Sequence, residues 1–190
     1  EFFPTLSIEK LKLGPILAPN CQKIAFSDNN FKTASGKIEL YSIEAQRKWG
    51  VNPLPTFEKG IEADRDFNSN YPLYLMSPNS KNRIHSQFNN LKIIRMISGE
   101  PTIQINPNDA ANRQIVNEDL VRVFNGRGEL IIKADVSYQV RVGCVVIPNG
   151  WWKSQGGAVN ELSKGRETDM GHGTAFHDNK VQIEKYYDFV

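Results

Sequence analysis

From Tyr71 onward the chain is a series of short apolar runs, each stopped by a turn signal within a few residues, which commits this part to a fold of many short strands. The clearest signal is Asn125-Gly126-Arg127-Gly128, flanked by the apolar runs 120–124 and 129–136. Asn-Gly tolerates the positive φ of tight turns, so the two runs read as the arms of a hairpin. In the second arm Leu130, Ile132, Ala134 and Val136 share one face, and Glu129, Lys133 and Asp135 share the other. One side of that strand is dry and the other wet. Further strands are expected over 71–76, 102–105, 140–148 with a break at Gly143, and 180–185. Asn106-Pro107-Asn108-Asp109 opens a short helix with an Asn cap, a proline at its first position and an acid in its first turn. Six or so short strands with one small helix would expose many edges unless the sheet closed on itself, so the class is mainly β with short helices, arranged as a closed or nearly closed barrel. The glycine-bearing stretch 149–177 reads as one long loop, and loops of that length usually carry function.

Residues 1–70 read differently. Ser7 caps a short helix that Gly14-Pro15 ends, residues 37–41 alternate like a strand, and a second helix ends near Trp49-Gly50. The polar run 64–70 reads as linker. So few apolar positions cannot close a core, and the stretch is expected to be a strap that packs on something else. The division is therefore 1–70 as strap and linker and 71–190 as barrel.

Several classes of function are excluded. With 23 basic and 21 acidic residues the net charge is +2, which gives no footing for nucleic acid. No apolar run reaches the roughly 18 residues of a membrane helix. The two cysteines, Cys21 and Cys144, cannot hold an iron–sulfur cluster or a structural zinc by themselves, and the three histidines add no ligand spacing. Any metal or redox chemistry must borrow ligands from outside this chain. Ser35-Gly36-Lys37 is not a phosphate loop, because Phe31 stands where its first glycine belongs and Ile38 where its magnesium-binding hydroxyl belongs. Gly-x-Ser-x-Gly is absent, and no hydrolase triad is recognisable.

Three segments carry candidate chemistry. Residues 77–86, Ser-Pro-Asn-Ser-Lys-Asn-Arg-Ile-His-Ser, are the densest donor set and follow a strand, where backbone amides and cations can converge on a phosphate; the alternative is a solvated polar loop. Trp151-Trp152 after Gly150 could lid the barrel end or wall a ligand cavity. The glycines of 171–178 permit close approach to a ligand, with His177 as a donor, or simply a flexible entry to the last strand. His172 and His177 lack a third ligand, so no metal site is expected there.

In order, these segments resemble the carboxy-terminal molybdopterin-dinucleotide-binding domain of the dimethyl sulfoxide reductase family of molybdenum and tungsten enzymes. The resemblance is carried by 71–86 ending in Arg83-Ile84-His85-Ser86, by Ile105-Asn106-Pro107-Asn108-Asp109-Ala110, and by Asp119-Leu120-Val121-Arg122-Val123 with Gly126-Arg127-Gly128. Gly143-Cys144-Val145-Val146, Gly150-Trp151-Trp152, Asn160-Glu161-Leu162-Ser163 and Phe176-His177 follow. Upstream, Thr33-Ala34-Ser35-Gly36-Lys37-Ile38-Glu39 is similar to a stretch that precedes this domain in many members.

The resemblance implies a double-psi β-barrel and a cofactor-binding role. It sets Ser77, Asn79, Arg83, His85 and Ser86 against the pterin or phosphates of the dinucleotide, with Asn160 and His177 completing the binding set and Trp152 near a substrate funnel. Members often carry Gly-Arg where this chain has Pro78-Asn79, and lysine where it has His177. The cofactor implied is molybdopterin guanine dinucleotide in its bis form, with molybdenum or tungsten. The metal's protein ligand and any iron–sulfur cluster are expected in earlier domains, so this chain holds no catalytic residue and is expected to be inactive alone. Expected partners are the remaining domains of the catalytic subunit and an iron–sulfur electron-transfer subunit, without nucleic acid and without a membrane span. The substrate and location stay open, periplasmic, membrane-associated through partners, or cytoplasmic. The competing reading is an adaptor: double-psi barrels also hold peptides or proteins without any cofactor.

Overall fold

A computed structural model describes residues 6–19, 21–57, 70–168 and 171–187. They divide into two compact units, one within Glu1–Phe57 and the other within Glu58–Val190.

In the first unit, α1 (Ile8–Leu13) is capped by the Ser7 hydroxyl, which accepts from the Lys10 amide, and closed by Gly14. Helix α2 (Ile43–Trp49) has Ser42 as its cap and ends on Gly50 in the left-handed region. Both helices are where the sequence puts them. Residues 37–41 are not a strand. The Thr33 hydroxyl donates to the Lys37 carbonyl at 2.6 Å and the Ser35 amide donates to the Glu39 carboxylate at 3.0 Å, so local side-chain bonds fold the stretch into turns. None of the described residues 6–57 is buried, which agrees with a segment that closes no core. The expected linker at 64–70 lies outside the described residues except for Asn70.

The second unit is a barrel of six strands: β1 (Leu73–Met76), β2 (Thr102–Ile105), β3 (Leu120–Phe124), β4 (Glu129–Val136), β5 (Cys144–Val146) and β6 (Asn179–Lys185). The order around it is β1-β5-β2-β4-β3-β6, closed by the antiparallel pair β1 and β6. Two pairs, β1 with β5 and β2 with β4, are parallel and joined by crossovers, as in a double-psi β-barrel. Period-two alternation fills the interior: Leu73 and Leu75, Ile103 and Ile105, Val121 and Val123, Leu130, Ile132 and Ala134, Val145, Val181 and Ile183 are all buried in one cluster. Residues 140–148 contribute only the three-residue β5, because Val140 and Arg141 belong to a turn that Asp109 and Asn106 tie down.

Two other features depart from expectation. Helix α3 (Lys92–Ser98) is unannounced because no side chain caps its start, and helix α4 (Pro107–Ala111) forms as expected. The Asn125-Gly126 turn forms, closed by the Asn125 amide on the Gly128 carbonyl at 3.1 Å, yet neither residue takes a positive φ. Glycine is required at 128 for space instead: a Cβ there would sit 2.6 Å from the Glu161 carbonyl oxygen. Asn125 is buried and donates to the carbonyls of Leu162 (2.8 Å) and Lys180 (3.1 Å), so the turn clamps the following loop to β6.

Candidate functional site

The strand directions collect the chain's donor-rich loops at one end of the barrel. β1 and β5 run parallel and finish together, which brings residues 77–90 beside 147–152. β6 runs antiparallel to β1 and begins there, which adds His177. β3 ends and β4 begins at the same end, and their turn holds the 3-10 turn Val159–Leu162 with Asn160. The long loop 149–177 is thus partly ordered into this turn and a second, Lys153–Gln155.

Asn149 is the hub. Its amide nitrogen Nδ2 donates to the Ser77 carbonyl (3.2 Å) and to Asn79 Oδ1 (2.8 Å), and its backbone amide donates to the Pro78 carbonyl (2.9 Å). The Ser77 amide donates to His177 Nδ1 at 3.2 Å. In a neutral imidazole this acceptor role leaves the proton on Nε2. Ser77, Asn79 and His177 therefore meet through bonds that reach across roughly seventy to a hundred residues of sequence.

A second set braces the loop from behind. Arg83 is 6% exposed, and its guanidinium lies over the Trp151 ring at 3.8 Å. Nε donates to the Ser80 hydroxyl (2.9 Å), NH1 to Asn89 Oδ1 (2.9 Å), and NH2 reaches the Asn149 carbonyl (3.5 Å). Burial without a carboxylate partner among the described residues holds the Arg83 pKa below its ordinary value. Asn89, 2% exposed, also donates to the Gly150 carbonyl at 2.6 Å, and its own carbonyl accepts from Arg95 Nε. Gly150 lies against the His85 carbonyl so closely that a Cβ would overlap it. His85 itself sits at φ 50°, held there by this packing, and its side chain is exposed.

Of the sequence candidates, Ser77, Asn79 and Arg83 bond to Asn149, and His177 joins them through the Ser77 amide. Ser86 is exposed, its carbonyl accepting from Trp152 Nε1 at 2.9 Å, so Ser86 and Trp152 form a neighbouring pair. Arg83 and Ser86 do not share a face, since one is buried and the other exposed. Asn160 is exposed on its own turn, and no hydrogen bond to a described residue holds its side chain. Sequence reasoning missed Asn89 and Asn149. The sequence shows Asn149 only as one polar residue before Gly150; its role depends on the parallel pairing of β1 with β5, which the chain's pattern does not display.

Four buried polar atoms among the described residues have no partner, Ser77 Oγ, Asn149 Oδ1, Ser98 Oγ and Trp151 Nε1, and the first two belong to the Asn149 hub. Buried polar groups are normally hydrogen-bonded, and an unmet one in a native fold calls for a ligand or water. No group of three His, Cys, Asp or Glu side chains suited to a metal occurs among the described residues. The arrangement can hold a polar heterocycle or phosphates, and it has no metal ligand set of its own.

The family model for the Molydopterin dinucleotide binding domain matches residues 73–180, from the first barrel strand into the last. The chain belongs to this family. The dinucleotide-binding domain is 35% identical to dimethyl sulfoxide reductase DmsA of Escherichia coli over 174 residues, which cover 83% of this chain and 21% of that protein. It is 37% identical to the dimethyl sulfoxide/trimethylamine N-oxide reductase of Cereibacter sphaeroides (83% of this chain, 21% of the relative) and 38% identical to the probable oxidoreductase YoaE of Bacillus subtilis (80% and 22%). The domain thus spans about a fifth of the length of these relatives. Among solved structures, acetylene hydratase from Pelobacter acetylenicus superposes with a TM-score of 0.73 at 18% identity, over 95% of this chain and 28% of that one, which supports the fold. The family expected from the ordered motifs is the family found.

The residues fit a dinucleotide cofactor. Ser77 Oγ can both donate and accept and Asn149 Oδ1 can accept, Asn79 and His177 are bonded into the same set, and Gly150 lets the loops at 83–86 and 149–152 close on each other.

Proposed function

We propose that this chain is the cofactor-binding domain of a dimethyl sulfoxide reductase-like catalytic subunit, with Ser77, Asn79, His85, Ser86, Asn160 and His177 facing molybdopterin guanine dinucleotide and Arg83 holding their loop. The observation that carries the reading is the pair of buried, unpartnered atoms Ser77 Oγ and Asn149 Oδ1 at the barrel end where the family's loops meet. When bound, the cofactor would supply two-electron redox chemistry, oxygen-atom or hydride transfer, at its metal. The chain's residues orient it. Loop 77–90 is fixed by Arg83 and Asn89, so donors meet the ligand without a further ordering cost. His177, accepting from Ser77 at Nδ1, presents its Nε2–H outward. Trp152, 39% exposed and bonded to the Ser86 carbonyl, stands beside the same loop, where it would border a substrate funnel.

The metal ligand and any iron–sulfur cluster belong on this reading to the rest of the subunit, four-fifths of which lies outside the matched region in the relatives. Residues 1–70 act as the strap to those domains and 71–190 as the barrel. A bis-cofactor with molybdenum or tungsten, an iron–sulfur partner subunit and a role in anaerobic respiration complete the proposal.

The test is cofactor retention. Purified full-length subunit is assayed for acid-released guanine nucleotide, for the wild type and for Asn160→Ala and His177→Ala. Both residues are exposed, so the fold should stand and the nucleotide content should fall severalfold. Wild-type content in both variants would remove them from the binding set.

A further inference from the structure

The ladder between β1 and β6 ends on a side chain. Its register pairs Leu73 with Val181, Tyr74 with Lys180 and Leu75 with Asn179, and continuing it sets Ser77 opposite His177. Amides along a strand point alternately to its two neighbours. Tyr74 donates to the Gly143 carbonyl on the β5 side at 2.9 Å, and the Met76 carbonyl accepts from Ile147 on that same side at 3.1 Å. The Ser77 amide is therefore turned toward β6, where a further backbone rung would give it the His177 carbonyl. The imidazole takes it instead, at Nδ1 and 3.2 Å, and this is the ring's one hydrogen bond among the described residues.

The exchange of acceptor changes the chemistry of the rung. A backbone carbonyl accepts at any pH, whereas an imidazole nitrogen accepts only while it carries no proton. Protonated, Nδ1 becomes a donor facing the donor of Ser77, and the rung cannot form. The ring is exposed, so solvent protons reach it, while Ser77 is buried. The titratable groups on the segments that meet here are Lys81, Arg83 and His85 after β1, and Asp178 and Lys180 beside His177; residues 147–152 bring none. Arg83 is engaged by Ser80, Asn89 and the Trp151 ring, and Lys180 lies over the Tyr74 ring. None of the five bonds to the imidazole.

We propose that His177 is a proton-gated positioning residue: neutral, its imidazole fixes Ser77 at the start of loop 77–90, and protonation releases it. That loop is the one set against the cofactor above, so the positioning role rests on that reading, while the rung itself does not.

The test uses full-length subunit with and without cofactor, at about pH 7.5 and about pH 5.5, either side of the range in which histidine titrates. Hydrogen exchange at the Ser77 amide is read in cofactor-free protein, as protection relative to the unstructured rate at each pH. Wild-type protection should fall about tenfold in acid, the loss of one hydrogen bond. His177→Asn keeps an acceptor without a titrating proton and should hold its protection at both pH values, and His177→Lys, a donor only, should be unprotected at both. Loaded wild type should release guanine nucleotide severalfold faster in acid, and His177→Asn should not. No fall in wild-type protection, or the same fall in His177→Asn, overturns the proposal, as does equal acid release from wild type and His177→Asn. Full nucleotide content in freshly prepared wild type alongside any of these results leaves the cofactor-binding reading standing, and its absence would sink that reading instead.

Discussion

At the scale of single residues, the site depends on contacts that leave no room for side chains. Gly150 has φ 84° and lies against the backbone of His85, so both conformation and space demand glycine. Gly150→Ala must either move the 83–86 loop or strain position 150. It should lower stability by about 2 kcal/mol or more in denaturant melts of the chain, and a melt like the wild type's would show that the two loops are not in contact. Asn89 and Asn149 illustrate what sequence reading overlooks. Each is one asparagine among many, and their importance comes from partners about sixty to seventy residues away. By contrast, Ser77 and Arg83 stand in a donor-dense run directly after a strand, a pattern visible in the chain. Arg83 is also a warning: a cation in a binding loop can brace the loop from within.

At the scale of elements, alternation and caps carried most of the fold. Strands β2, β3 and β4 and helices α1 and α4 have the limits their patterns indicate, because each combines a buried face with a clear stop. The strand expected at 37–41 had alternation but local side-chain bonds in place of a partner, and α3 had apolar residues but no cap. The elements are also joined by charges. Asp119, just before β3, accepts from the Val116 amide at 2.8 Å and pairs with Lys185 at the end of β6 at 2.9 Å. The backbone bond first, and the lysine second, hold the Asp119 pKa below its ordinary value. A lowered carboxylate pKa means that the unfolded chain binds the proton first. The stabilisation is therefore full above the unfolded aspartate value of about 3.9 and is lost as pH falls through the lower folded value. The stability difference between wild type and Asp119→Asn should be constant near neutrality and shrink below about pH 4. A difference that grew in acid would contradict the assigned direction.

At the scale of the whole molecule, the two units have opposite surfaces. The barrel buries a continuous core, whereas the described part of residues 6–57 buries nothing and exposes Leu13, Ile24, Ile38, Leu40 and Phe57 among others. Helix α3 likewise exposes Ile93, Met96 and Ile97. Apolar surface on this scale marks interaction faces. The chain by itself should bind a hydrophobic dye strongly and self-associate, while the full-length subunit should not; weak dye binding by the isolated chain would argue against the strap reading. The family was legible from the order of its motifs, although no single motif sufficed. The closure of the barrel followed from strand count, but the hub at Asn149 required knowing that β1 and β5 run side by side.

The central claim is that one end of the barrel receives the dinucleotide. Hydrogen–deuterium exchange on cofactor-loaded and cofactor-free full-length subunit tests it most directly. Loading should protect residues 77–86, 149–152 and 159–163, and leave the turns at 112–118 and 137–143, at the other end, unchanged. Protection of the far turns with no change at 77–86 and 149–152 would contradict the assignment of the site.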